Sequence, residues 1–470
     1  MSSSSPSPSS ESPAPPGPAR LGTLLALAWP MVLARSTQAV MGFFDGVMVA
    51  PLGQDALAAA TTGAMNAFSV AILPMGVVFI VQSFAAQLYG KKDLAGARRY
   101  GWYALILSGV TALIGFAALP LIGPALGLLP FEPAVRELMT EYLVLRLLSL
   151  GAMVGTEALG NWYGGLGNTR MQMRVSVISM VIDLALNFLL IYGYFGFPAM
   201  GVAGAALGSS IGTFVGFGVI LWAFLRGEGV PRSTGPLHLR RSELMRVIRF
   251  GLPNGLNWFL EFAAFLLFIN VVMADLGTTV LAAFMVVMSI NSVSFMPAFG
   301  LSSSGAILAG QAIGAGRKDD VPGIWFLTAR TTATWMCAVG LFYLFLPDVL
   351  VSIFTPPDED ATKLMEVGTV LVAMSAAWQL FDAIGMTLSE TLRAAGDTAW
   401  TLWARIILAW VFFVPISILT VIVLDGGHIA AMLCIAVYIA VLAALFFWRF
   451  RSGRWRDIDL TGPSAPLLPD

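Results

Sequence analysis

Charge is what this 470-residue chain has least of: Asp, Glu, Lys and Arg make up 11% of it, against 57% hydrophobic residues. A soluble domain carries about 25% charged residues, so the composition excludes an ordinary one. Cysteine and histidine are scarce as well, with only Cys337, Cys434, His238 and His428 present. Residues so few and so far apart imply neither a disulfide framework nor a metal site. The chain also lacks a Gly-x-x-x-x-Gly-Lys-Ser/Thr phosphate loop and a His-Glu-x-x-His pair. Those absences argue against an ATP-driven pump and against a membrane enzyme. No cofactor, nucleic acid or obligate protein partner is implied; the lipid bilayer is.

What the chain has in abundance is long apolar runs. About 20 apolar residues let a helix cross roughly 30 Å of hydrocarbon, and runs near or above that length recur twelve times. The expected spans are Leu24–Ala50, Leu57–Gln87, Tyr100–Leu121, Tyr142–Tyr163, Val175–Tyr194 and Val202–Leu225, then Phe250–Asp275, Val280–Gln311, Thr328–Leu346, Val367–Leu388, Trp400–Leu424 and Ile429–Phe447. With the N-terminus inside, most of the 26 basic residues fall in inner segments, including Lys91, Lys92, Arg98 and Arg99, the linker arginines, and Arg449, Arg451, Arg454 and Arg456. Only Arg136 and Lys363 face outward, with the acids Asp358, Glu359 and Asp360. The positive-inside bias then puts both termini in the cytoplasm. Arg35, Arg146, Arg330 and Arg405 stay inside spans or at their ends.

The flanks read as passive. Residues 1–20 are rich in Ser and Pro, with no signal-peptide pattern, and read as a disordered tail. Residues 21–225 and 250–450 form two six-span units, 226–249 a basic linker, and 451–470 a second cytoplasmic tail. The plain N-terminus and short loops suit a bacterial cytoplasmic membrane.

The two units are copies. Pro30 answers to Pro253, Leu-Gly-x-x-x-Leu-Ala-Ala recurs at Leu52–Ala59 and Leu276–Ala283, and Pro74 answers to Pro297. Gln87-x-x-Gly90 pairs with Gln311-x-x-Gly314, and Gly167-Asn168-Thr169 with Gly396-Asp397-Thr398. A duplicated apolar chain of this size points to a transporter whose pathway lies between related halves. The expected fold is therefore an all-α polytopic membrane protein, twelve transmembrane helices in two bundles.

Carboxylates inside the spans single themselves out. An Asp at mid-span costs about 2.5 to 3.5 kcal/mol on insertion scales, so it turns inward or toward a water-filled cavity. Asp45, Asp183, Glu261 and Asp382 are such residues, two in each half. Helical spacing puts Gln38 on the face of Asp45, Asn187 on that of Asp183, Asn254 and Asn257 on that of Glu261, and Trp378 on that of Asp382. One polar-lined cavity per half is the simplest arrangement. Arg35 is expected to pair with an acid, and Glu157 and Glu390 to act as interface or loop partners. Gly204, Gly208, Gly212 and Gly216 repeat every four residues, a stripe that lets another helix approach closely.

The order, spacing and duplication of these motifs, with Leu392-Arg393-Ala394-Ala395 before the second Gly-Asp-Thr, resemble the multidrug and toxic compound extrusion family over about residues 21–450. Glu261, after Gly251-Leu252-Pro253, and Asp382 resemble the acid pair of the NorM-like bacterial branch, associated there with coupling-cation binding. Asp45 matches the first-span acid that the family associates with proton or drug coupling. Two departures stand out. The fifth span carries Asp183-x-x-x-Asn187 where the branch with a first-half proton site has Asn-x-x-x-Asp, and Trp378 stands where the NorM-like branch often has tyrosine.

The resemblance implies an antiporter, coupled to Na+ or H+, that exports amphipathic or cationic small molecules by alternating access. Sodium needs several hard oxygen ligands, which Glu261, Asp382 and Asn257 could help supply; a proton needs one carboxylate. The 31 Phe and 22 Met residues offer an adaptable apolar cavity wall. The alternative function is a flippase for a lipid-linked saccharide or other lipid headgroup, a class that more often lines its cavity with arginines.

Overall fold

The computed structural model describes residues 20–128, 131–229, 238–354 and 361–462. The expected N-terminal tail up to residue 19, linker residues 230–237, the acids Asp358, Glu359 and Asp360, and residues 463–470 lie outside the described residues.

Ten of the described helices are each long and apolar enough to cross a bilayer. In the first half these are α1 (Leu21–Leu52), α2 (Gln54–Gly90), α3 (Leu94–Gly127), α5 (Thr169–Tyr192) and α6 (Gly201–Arg226). In the second half they are α7 (Arg241–Met273), α8 (Thr278–Gly314), α10 (Thr362–Ala395), α11 (Thr398–Val423) and α12 (Gly427–Arg451). α4 is a pair, Pro133–Leu148 and Leu150–Gly165, bent by 45°. α9 (Val321–Phe345) is less apolar because it carries Arg330 and Thr328, Thr331, Thr332 and Thr334. The twelve helices form two bundles.

Most helices overrun the apolar runs that announce them. Residues 241–249, expected as linker, are the opening turns of α7, because Leu244, Val247 and Phe250 pack into the apolar core of the first bundle. On the same turns Glu243 accepts hydrogen bonds from Arg99 at 3.0 and 3.1 Å and from Tyr103 Oη at 2.7 Å.

The seam between the halves is made by α1 and α2 against α7 and α8. Small residues set its spacing: a Cβ on Gly76 would stand 2.7 Å from the Gly255 Cα, so the α2 and α7 backbones touch. The repeated Gln-x-x-Gly motif closes the seam on the side of the basic loops. Gln87 Nε2 donates to Ala394 O across the seam at 2.8 Å, and Gln311 Nε2 donates to Gly165 O at 3.1 Å. A Cβ on Gly90 would lie 2.1 Å from Gln311 O, and one on Gly314 would lie 1.9 Å from Gln87 O. Each copy of the motif thus holds the partner half in a two-fold latch.

The C-terminal segment is not passive, contrary to its composition. Leu460 is fully buried in the core of the first bundle and Trp455 in that of the second. Lys91 of the first half donates to Thr461 Oγ1 at 2.6 Å, while Lys318 of the second half donates to Arg456 O. The segment after α12 is therefore a strap across the latch, and its apolar residues supply the reason.

Candidate functional site

The carboxylates inside the spans gather into two centres, one in each bundle. The first depends on how closely α5 and α6 can meet. A Cβ on Gly208 would come 2.1 Å from Asn187 Oδ1, one on Gly212 would come 3.1 Å from the Asp183 Cβ, and one on Gly216 would come 2.0 Å from Ser179 Oγ. The four-residue glycine stripe is thus the groove that receives the polar face of α5. Asn187, fully buried there, donates from Nδ2 to Asp45 Oδ1 on α1 at 2.7 Å and lies 3.5 Å from Asp183 Oδ1. Asp183 Oδ2 and Asn187 Oδ1 are buried without a hydrogen-bond partner. Acceptor oxygens sealed from water are costly, and a cation or proton would satisfy them. Arg146 on α4 lies within electrostatic reach of both acids, while its own Nη1 has no partner. Gln38 stands exposed two turns before Asp45.

The second centre is built from α7, α10, α11 and α12. Three departures from regular α-helix surround it: π-helical stretches at Phe268–Met273 and Ile407–Phe413, and a tight 3-10 turn, Ala376–Trp378, just before Asp382. Such irregular turns recur at functional sites because they re-aim side chains. Glu261 on α7 is ion-paired to Arg405 on α11, and Asp382 on α10 and Tyr438 on α12 lie within electrostatic reach of that pair. Asn257 and Glu261 line a narrow, tightly packed crevice beside Arg405 and Trp410. Asn257 Oδ1, Arg405 Nε and Tyr438 Oη have no hydrogen-bond partner.

Other expected residues serve elsewhere. Asn254 spends its amide on Gly76 O at 2.6 Å, in the seam. Trp378 is 5% exposed and packs in the apolar core of the second bundle. Arg35 does pair with an acid: it grips Glu157 at 2.6 and 3.2 Å, both side chains buried. Glu390 pairs with Arg393, whose guanidinium crosses the seam to Ser83 Oγ at 3.1 Å and Gln82 Oε1 at 2.7 Å. The Phe79 ring lies between the two arginines, 5.8 Å from the Arg35 Cζ and 4.2 Å from that of Arg393.

Arg405 and Tyr438 were not visible as members of an acid centre. The charge of Arg405 inside a span is a signal, but its partner acid is 144 residues away in the sequence. Tyr438 carries no local signal.

Two helical bundles, carboxylates turned inward in each, and a seam latched on one side define a polytopic membrane protein of the two-bundle transporter class. The MatE family model matches residues 30–189 and 253–419, once in each half. The chain belongs to the MatE family. Among its relatives are the probable multidrug resistance proteins NorM of Pseudomonas putida, 29% identical over 95% of this chain and 96% of that one, and of Thermotoga maritima, 27% identical over 81% and 82%. The corresponding protein of Neisseria meningitidis is 30% identical over 74% and 76%. A solved multidrug resistance MATE family transporter, described as outward-facing, superposes with a TM-score of 0.85 at 21% identity, over 93% of this chain and 96% of that one.

Proposed function

We propose that this chain is a cation-coupled antiporter that exports amphipathic, often cationic drugs or metabolites across a bacterial cytoplasmic membrane. The observation that carries the reading is the pair of centres: four carboxylates within spans, drawn together two by two in each bundle. Carboxylates at that depth are expensive unless they bind something cationic. The names of the relatives support the substrate class. By the positive-inside bias the latched side is the cytoplasmic one.

The energetics suffice. One monovalent cation moving inward releases about 2.3 kcal/mol per 100 mV and about 1.4 kcal/mol per tenfold concentration gradient. Together these sustain roughly a 500-fold gradient of a neutral solute at one ion each. Flipping of a lipid-linked saccharide or other lipid headgroup has less support, since two of the four arginines in or at the ends of spans, Arg35 and Arg405, are spent on Glu157 and Glu261.

The test is drug resistance and dye efflux by cells expressing Glu261→Ala or Asp382→Ala at normal membrane level. Both variants are expected to lose most efflux. Unchanged efflux in both would refute the reading.

A further inference from the structure

The second centre holds a cation of its own. Within the antiporter reading above, we propose that Arg405 is the selectivity residue of the Glu261 and Asp382 pair: it occupies, as a fixed guanidinium, the place a sodium ion would take, and so excludes sodium from this centre.

Three observations point this way. Arg405 is ion-paired to Glu261, and its side chain is 13% exposed while that of Glu261 is 39% exposed. The guanidinium is therefore the inner partner and the carboxylate the outer one. Its Cζ also lies 5.5 Å from the Phe446 ring centroid on α12. Held by a carboxylate on one helix and a π-face on another, it is anchored rather than free to withdraw.

The remaining donors do not make a sodium cage. The groups facing Arg405 are Glu261 and Asn257 from α7, Asp382 from α10, and Tyr438 and Phe446 from α12. Against the two carboxylates stands one arginine, and the oxygens left over are those of Asp382, Asn257 and Tyr438. A sodium ion bound by Glu261 would sit about one ion-pair distance from the guanidinium, where like charges repel strongly in a desolvated site. Arginine does not deprotonate in proteins, so this repulsion persists at any working pH. A second carboxylate, Asp382, stays available to a species that needs a single oxygen. Arg405 could instead serve only to lower the cost of inserting two acids. That role would place no demand on which ion the centre rejects, and this difference is measurable.

The experiment uses the purified full chain in proteoliposomes and measures saturable binding of radioactive sodium, together with movement of the cationic dye ethidium under an imposed sodium or proton gradient. The wild-type protein is expected to bind no sodium that depends on Glu261, as judged against Glu261→Gln, and to move dye without a sodium gradient. Arg405→Met is expected to acquire saturable sodium binding at least about 100-fold tighter than any residual binding by the wild type, the order that removing a neighbouring positive charge gives. That gain should vanish in the Arg405→Met, Glu261→Gln double variant. Arg405→Lys, which keeps the charge, should stay sodium-blind. Sodium binding by the wild type that depends on Glu261, or an Arg405→Met protein that is folded and gains none, overturns the proposal. If Arg405→Met does not fold, Arg405→Gln, which also removes the charge, takes its place, and Glu261-dependent sodium binding by the wild type still overturns the proposal. Dye movement under neither gradient would count against the antiporter reading alone, because the binding measurement does not depend on transport.

Discussion

At the scale of single residues, the first centre is held together by what is missing from α6. Gly208 has no side chain, and Asn187 fills that space and reaches Asp45. Gly208→Ala puts a methyl group 2.1 Å from Asn187 Oδ1, with backbone of α5 behind it. Overpacking of this kind typically costs about 1 to 3 kcal/mol. The expected outcome is a lower melting temperature and loss of dye efflux. Gly218→Ala, on the same helix with nothing within 4 Å, is expected to leave both unchanged. Equal effects from the two substitutions would show that the groove is not what orients Asn187. The glycine period was legible in the sequence, but its target was not, since no spacing rule says which of eleven other helices will lie in a groove.

At the scale of elements, the duplicated Gln-x-x-Gly motif becomes a mutual clamp. Each glutamine bonds a carbonyl of the opposite half, and each glycine lets the backbones close on one another. Neutral hydrogen bonds of this kind contribute about 0.5 to 1.5 kcal/mol each. Gln87→Ala with Gln311→Ala should therefore raise the open population on this side by about tenfold. Faster maleimide labelling of a cysteine placed at Ser303, buried at the seam, reads that change. Removing everything after Arg451 should act in the same direction, because Trp455 and Leu460 then lose their places in the two cores. Labelling that stays at the wild-type rate in both proteins would rule out the clamp. Composition alone gave no hint of the strap, because a short segment with a few scattered apolar residues looks like a tail until their pockets are known.

At the scale of the whole molecule, the charge pattern predicts the orientation in the membrane. Basic residues gather on the latched side, so both termini should face the cytoplasm. In a protein lacking Cys337 and Cys434, Asp275→Cys, exposed between α7 and α8, is expected to react with an impermeant maleimide on intact cells. Lys92→Cys, exposed between α2 and α3, is expected to react only after lysis. The reverse pattern would invert the assigned direction of export.

The class of fold, the number of spans, the duplication and the four acids are matters of composition and period, and the amino-acid sequence determined them. Hydrophobicity and helical spacing are local properties that survive without coordinates. Which acid meets which helix is decided by packing across long separations: Asn187 with Asp45, Arg35 with Glu157, and Arg405 with Glu261. The tertiary structure alone turned Arg405 from an arginine in a span into the cation of an acid centre, because only close packing of four helices brings those charges out of water and onto one another.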